Sequence, residues 1–144
     1  MKSISYKKDT YILNNRYKLF SIKDNVDFKR LYRQGRKKGS GHIVVYTKEN
    51  KLGLNRLGIT VGKKFGNSVQ RTRMKRLIRE VYRLYNKDMT QGYDIIIAAR
   101  PSVRSAASPN NRLKAERVPG YSDIESDFKK AFISLDMLRF NVKQ

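Results

Sequence analysis

Hydrophobic positions in the middle of this chain recur at helical spacing. Between residues 68 and 87, Met74, Leu77, Ile78, Val81 and Tyr85 fall at steps of three and four and share one stripe of a helical wheel. Lys75, Arg76, Arg79 and Arg83 fall on the opposite face, with Thr72 among them, while Arg71 and Arg73 flank the stripe. A helix buried on one side and cationic on the other is suited to hold a polyanion against a folded core. Gly66-Asn67 reads as a turn before it. Asn67 or Ser68 caps the helix start, where side-chain oxygens satisfy free backbone donors. Such amides also attract phosphate, and Lys63 and Lys64 lie at the same end.

Shorter patterns surround this helix. His42–Lys48 alternates in part and is β-branched, Arg56–Gly62 reads as a second strand, and Tyr93–Ala99 is nearly all apolar, as expected of a central strand. Asn25 is placed to cap a short helix over 26–34 that ends at Gly35, with Phe28, Leu31 and Tyr32 on one face. Arg36-Lys37-Lys38 reads as a basic loop. Ser122-Asp123-Ile124-Glu125 has the form of a capping box. The helix it opens places Ile124, Phe128, Ala131, Phe132 and Leu135 on one face. The order predicts an α/β chain of the α+β two-layer sandwich kind, with three helices on a small mixed sheet. Residues 22–140 make the single domain. Residues 1–21 read as a basic extension. Residues 101–121, with three prolines and no period, read as an exposed, flexible insert.

Charge sharpens the picture. The 144 residues carry 33 Lys and Arg against 12 Asp and Glu, a formal net charge of +21. Such an imbalance opposes folding by self-repulsion and is best explained by a polyanionic partner, above all nucleic acid. A membrane surface is a poorer fit, because the apolar stripe has strands on either side in sequence to pack against. The longest apolar run, Ile95–Ala99, is too short to span a bilayer, and residues 1–20 hold no signal-peptide pattern. The chain has no cysteine, which excludes disulfides, thiol nucleophiles and Cys-based zinc sites and fits a cytoplasmic setting.

The residues of a protein-borne active site are missing from the pattern. His42 is the sole histidine, and no Asp or Glu is placed to orient it, so it reads as a surface or strand-edge residue. Asp123, Glu125 and Asp127 are read as complements to a helix dipole rather than metal ligands. No phosphate-loop motif occurs, and no catalytic or metal-binding residue is assigned. Aromatic residues are the second signal. Phe28, Tyr32 and Tyr46 suit either a core or a stacking surface for unpaired bases.

At this point the residues resemble a known family. Lys63-Lys64-Phe65-Gly66-Asn67-Ser68-Val69-Gln70-Arg71-Thr72-Arg73-Met74-Lys75-Arg76-Leu77-Ile78-Arg79-Glu80 closely resembles the signature of the bacterial ribonuclease P protein component. Residues 27–35 resemble that family's first helix and its glycine stop. Residues 56–61 resemble the strand before the signature, and residues 94–101 resemble the last strand. The resemblance implies a small sandwich with a left-handed βαβ crossover, an exception to the usual hand. It implies a holoenzyme in which ribonuclease P RNA removes the 5′ leader of precursor tRNA, with Mg²⁺ bound chiefly by the RNA and substrate. Neither a membrane nor a small-molecule ligand is implied.

The positions matching the family's RNA-subunit contacts are Lys63, Asn67, Arg71, Arg73, Lys75, Arg76 and Arg79. Those matching its leader cleft are Phe28, Tyr32, Tyr46, Thr60 and Lys64. Thr72 departs from the pattern by replacing an asparagine, which removes the amide's paired donor and acceptor. The 101–121 segment is longer than the family's link. Two other readings stand beside this one: a ribosomal or nucleoid-type binding protein, and a nuclease using His42.

Overall fold

In the computed structural model, residues 12–13, 16–17, 19–101 and 119–139 are described. The elements are β1 (Ile12–Leu13), β2 (Arg16–Tyr17), β3 (Phe20–Ser21), α1 (Asn25–Gln34), β4 (Arg36–Ser40), β5 (Ile43–Glu49), β6 (Arg56–Thr60), α2 (Ser68–Tyr85), β7 (Tyr93–Ala99) and α3 (Tyr121–Ser134). Short 3₁₀ turns at Lys63–Phe65 and Asn86–Asp88 flank α2. β1 and β2 pair as a separate two-stranded ribbon. The remaining strands form one mixed sheet in the order β3-β6-β7-β5-β4.

β7 is the centre of that sheet, parallel to β6 and antiparallel to β5. Its run Ile95-Ile96-Ile97 is fully buried because both faces are covered. Alternation then sorts the faces. Ile43, Val45, Leu57, Ile95 and Ile97 face α2 and α3 in the main core. Tyr46 and Ile96 face the other way, where they meet Ile22, Phe28 and Leu31. The α+β sandwich is therefore α2 and α3 on one sheet face, with α1 laid across part of the other. β6, α2 and β7 form the parallel crossover.

The core between the helices is aromatic. Phe128 of α3 stacks on Tyr85 with centroids 5.7 Å apart and touches Phe132 at 4.4 Å. Met74, Ile78, Val81 and Tyr85 are buried as their stripe predicts, and Leu77 is half-buried. Tyr82 is buried as well, although outside that stripe, because α3 covers the flank of α2 and Phe128 packs edge-on to it at 6.3 Å.

Four local readings differ from the structure. Arg36-Lys37-Lys38 is not a loop but the start of β4, paired antiparallel with β5 in the register Lys37↔Tyr46. It is an edge strand with exposed cations, so no hydrophobic alternation marks it. Asn25 lies inside α1; Asp24 is the N-cap and makes no side-chain cap bond. Gly35 does end the helix, its amide donating to the Leu31 carbonyl at 2.8 Å. α3 starts at Tyr121, with Gly120 at the N-cap, so Ser122 is not the cap. The acid that closes this start is Asp123, which accepts from the Gly120 amide at 3.0 Å. Glu125 instead accepts the Tyr85 hydroxyl at 2.6 Å. β3 also carries residues 20 and 21 into the sheet, ahead of the boundary expected at 22. Most of the 101–121 segment lies outside the described residues, as do residues 1–11.

Candidate nucleic-acid interface

Two surfaces gather the predicted residues. The first is the outer face of α2 and the turn before it. Asn67 and Gln70 cap the helix reciprocally: Asn67 Oδ1 accepts the Gln70 amide at 2.9 Å, and Gln70 Oε1 accepts the Asn67 amide at 2.8 Å. Gly66 leaves room for the cap, since a Cβ there would push the Gln70 side-chain oxygen from its place. Arg71 turns back and donates to the Gly66 carbonyl at 2.7 Å, fixing the turn against the helix. Arg73, Lys75, Arg76 and Arg79 stand exposed beyond this cap, with Thr72 between them, and Lys63 is exposed in the turn. Arg83 leans on Glu80 at 3.6 Å, a surface pair of little energetic weight.

The residues expected to face RNA thus divide into two kinds. Asn67 and Arg71 spend side-chain hydrogen bonds on building the turn, whereas Lys63, Arg73, Lys75, Arg76 and Arg79 present charge outward. The capping box also satisfies the Gln70 amide within the helix instead of offering it to a ligand.

The second surface is the sheet face under α1. Phe28 sits over Gly58; a Cβ there would come within 2.6 Å of its ring. One turn on, Tyr32 meets Tyr46 edge to face, with centroids 4.7 Å apart, and its hydroxyl hydrogen-bonds Thr60 Oγ1 at 3.1 Å. The Lys37 ammonium lies over the Tyr46 ring at 5.9 Å, a cation–π contact. Tyr32 keeps 42% of its surface exposed. Beyond α1 the next row of the sheet, Gly39–Val44–Ala98–Thr60, is only partly covered. Phe28, Tyr32, Tyr46 and Thr60 therefore come together in one cleft. Lys64 stands exposed on the turn that leaves β6.

Sequence reasoning missed the partners of His42. Its Nδ1 lies 2.7 Å from Asp127 Oδ2, which also accepts the His42 amide at 2.9 Å. An oriented histidine is thus present, contrary to expectation, because folding closes 85 residues of separation. The pair pins the β4–β5 turn to α3. Among the described residues, no group of three or more His, Cys, Asp or Glu comes together to hold a metal ion. No helix among them is long and apolar enough to cross a membrane.

These features define a class: a small basic α+β sandwich with a cationic helix on one side and an aromatic cleft on the other. Comparison with known proteins agrees and narrows it. A profile described as Ribonuclease P matches residues 17–119. The ribonuclease P protein component of Natranaerobius thermophilus is 51% identical over 82 residues, covering 57% of this chain and 71% of that protein. The component from Caldanaerobacter subterraneus subsp. tengcongensis is 43% identical over 91 residues, covering 63% and 78%. The Staphylococcus aureus RNase P protein structure superposes with a TM-score of 0.68 at 30% identity, over 85% of this chain and 100% of that one. The Thermotoga maritima RNase P protein shares the fold, with a TM-score of 0.62 at 23% identity over 78% and 94%. The chain belongs to the ribonuclease P protein family.

Proposed function

We propose that this chain holds two RNAs at once as the protein subunit of ribonuclease P. The RNA subunit lies along the exposed cations of α2 and its turn, Lys63, Arg73, Lys75, Arg76 and Arg79. The 5′ leader of precursor tRNA lies in the cleft of Phe28, Tyr32, Tyr46 and Thr60, with Lys64 at its end. The observation that carries this reading is the partition of the surface: a one-sided basic helix, and stacking aromatics on the opposite face of the same sheet.

The cleft suits a single strand. An unpaired base gives up stacking that the exposed Tyr32 ring can restore, while Lys37 and Lys64 supply positive charge for its phosphates. Endonucleolytic cleavage is assigned to the RNA partner, because the acids best placed to act are committed elsewhere. Asp94 and Asp27 pair with Arg56, and Glu125 accepts from Tyr85, while the oriented His42–Asp127 pair is tested by the protein-alone arm of the assay below. Mg²⁺, held chiefly by the RNA subunit and substrate, would supply activated water and leaving-group stabilisation. The role of this chain is to neutralise phosphates and fix the leader's position. The proposed compartment is the cytoplasm, where precursor tRNA is made.

The test is precursor-tRNA cleavage with RNA alone, protein alone, and both, at low Mg²⁺. The protein is expected to raise the RNA's activity and to cut nothing unaided. Protein that leaves the RNA's rate unchanged would overturn the assignment.

A further inference from the structure

Three charged side chains beside the cleft, Arg56, Asp94 and Asp27, form one linked cluster. Arg56 of β6 grips Asp94 of β7 with two parallel bonds, Nε to Oδ1 at 2.8 Å and Nη2 to Oδ2 at 2.6 Å. Asn50 braces the same carboxylate, its Nδ2 donating to Asp94 Oδ1 at 2.8 Å. The guanidinium is therefore fixed in plane on the sheet, as bidentate pairs require. From that anchor Nη2 also reaches Asp27 Oδ2 in the first turn of α1, at 3.4 Å. All three side chains are largely shielded, at 14–18% exposure.

α1 needs such a tie. It has ten residues, too few to hold helical form alone, and Leu31 is its only buried side chain. Its N-cap lacks a side-chain bond, and Val26 in its first turn is exposed. A cavity of about 160 Å³ opens where its first turn faces β5, lined by Asp27, Arg30, Lys48 and Asn50. Apolar packing near that end comes chiefly from Phe28, seated over Gly58. At the other end, Tyr32 bonds Thr60. β6 holds α1 at both ends, through Arg56 and through Thr60.

We propose that Arg56 is a positioning residue for the leader cleft: through Asp27 it sets the tilt of α1, and so the placement of Phe28 and Tyr32 over Tyr46. This rests on the cleft reading above. In this role Arg56 need not touch RNA. It acts by fixing the platform before the leader arrives, which lowers the ordering cost of binding.

The test uses reconstituted holoenzyme and compares Tyr32→Ala, Arg56→Lys and Asp27→Asn. Lysine keeps the charge but cannot make the planar fork that serves Asp94 and Asp27 together. Both Arg56→Lys and Asp27→Asn are expected to weaken precursor-tRNA binding about tenfold. Affinity for mature tRNA and for the RNA subunit should stay unchanged, since neither uses the cleft. Adding Asp27→Glu to Arg56→Lys, which lengthens the carboxylate arm, is expected to recover part of the loss. Selective loss with Tyr32→Ala but not with Arg56→Lys or Asp27→Asn would overturn the positioning role and spare the cleft. No selective loss with Tyr32→Ala would overturn the cleft, and this role with it. Equal loss for both tRNAs with a lowered melting temperature would reduce Arg56 to a structural residue.

Discussion

Tyr32 is half in contact and half in solvent, and that division decides what its loss should do. Its ring meets Tyr46 in a T-shaped contact and its hydroxyl meets Thr60, yet 42% of it remains exposed. Tyr32→Ala should therefore cost little stability but remove about 1–3 kcal/mol of leader binding, the worth of one stacked base. Paired melting curves and precursor and mature tRNA affinities check this; equal losses for both tRNAs would contradict it. Gly58→Ala should act differently. Its methyl would strike the Phe28 ring from below, so α1 must lift or Phe28 must leave its rotamer. A destabilisation of about 1–3 kcal/mol is expected, with weaker precursor binding, read by urea unfolding and the same affinities. Phe28 and Tyr32 were legible in sequence because their spacing places them on one helix face. Gly58 was not, since only the packed structure shows what its missing side chain makes room for. Asp127 was misread as a dipole complement for a related reason: its partner His42 is distant in sequence and local spacing carries no trace of it.

At the scale of elements, α2 was the most legible because two independent patterns coincide on it. Apolar residues at helical spacing fixed its buried face, and the cations fixed the other. The double change Arg76→Ala with Arg79→Ala leaves the buried stripe intact, so the melting temperature should hardly move. RNA-subunit affinity should fall, and the slope of log affinity against log salt should flatten by about 0.7–0.9 per lost phosphate contact. An unchanged slope would mean that this face does not meet the RNA. Asn67→Ala tests the turn instead. Losing the cap should cost about 1 kcal/mol, seen as a lower melting temperature, with the cationic face left in place. β4 was illegible as an element because an exposed edge strand of Arg and Lys has no face to alternate. Its pairing comes from β5, which supplies the ladder. The α3 start was misassigned by two residues, because Ser122 and Glu125 match a capping pattern, whereas the helix starts from Gly120, whose amide Asp123 accepts.

Across the whole molecule, a net charge of +21 on 144 residues sets two salt dependences of opposite sign. Screening weakens binding to RNA, but it also relieves repulsion among the protein's own cations. Raising NaCl from about 0.05 to 0.5 M, where the Debye length falls severalfold, should therefore raise the melting temperature of the free protein. The same change should lower its RNA affinity. Calorimetry on the free chain checks the first; a melting temperature that falls with salt would show that attractive pairs such as Arg56 with Asp94 dominate the balance. The overall architecture was legible because the order of elements leaves few ways to cover a small sheet. Placement of α1 on the face away from α2 followed only from reading Phe28, Tyr32 and Tyr46 as a stacking surface, because nothing in its spacing says which side of the sheet it meets.

The position of β7 in the chain has a consequence for biosynthesis. It is the central strand, hydrogen-bonded to β5 and β6, yet it is the last of the described strands to be made. Until Ala99 has emerged from the ribosome, β5 and β6 have no common neighbour, and the apolar stripe of α2 has no finished sheet to cover. α3, with Phe128 and Phe132, comes later still. The nascent chain must therefore carry its most basic helix, unpacked, past a surface made largely of RNA. Cooperative folding waits for the C-terminal third, and N-terminal fragments ending before Tyr93 should melt without a transition, whatever their length.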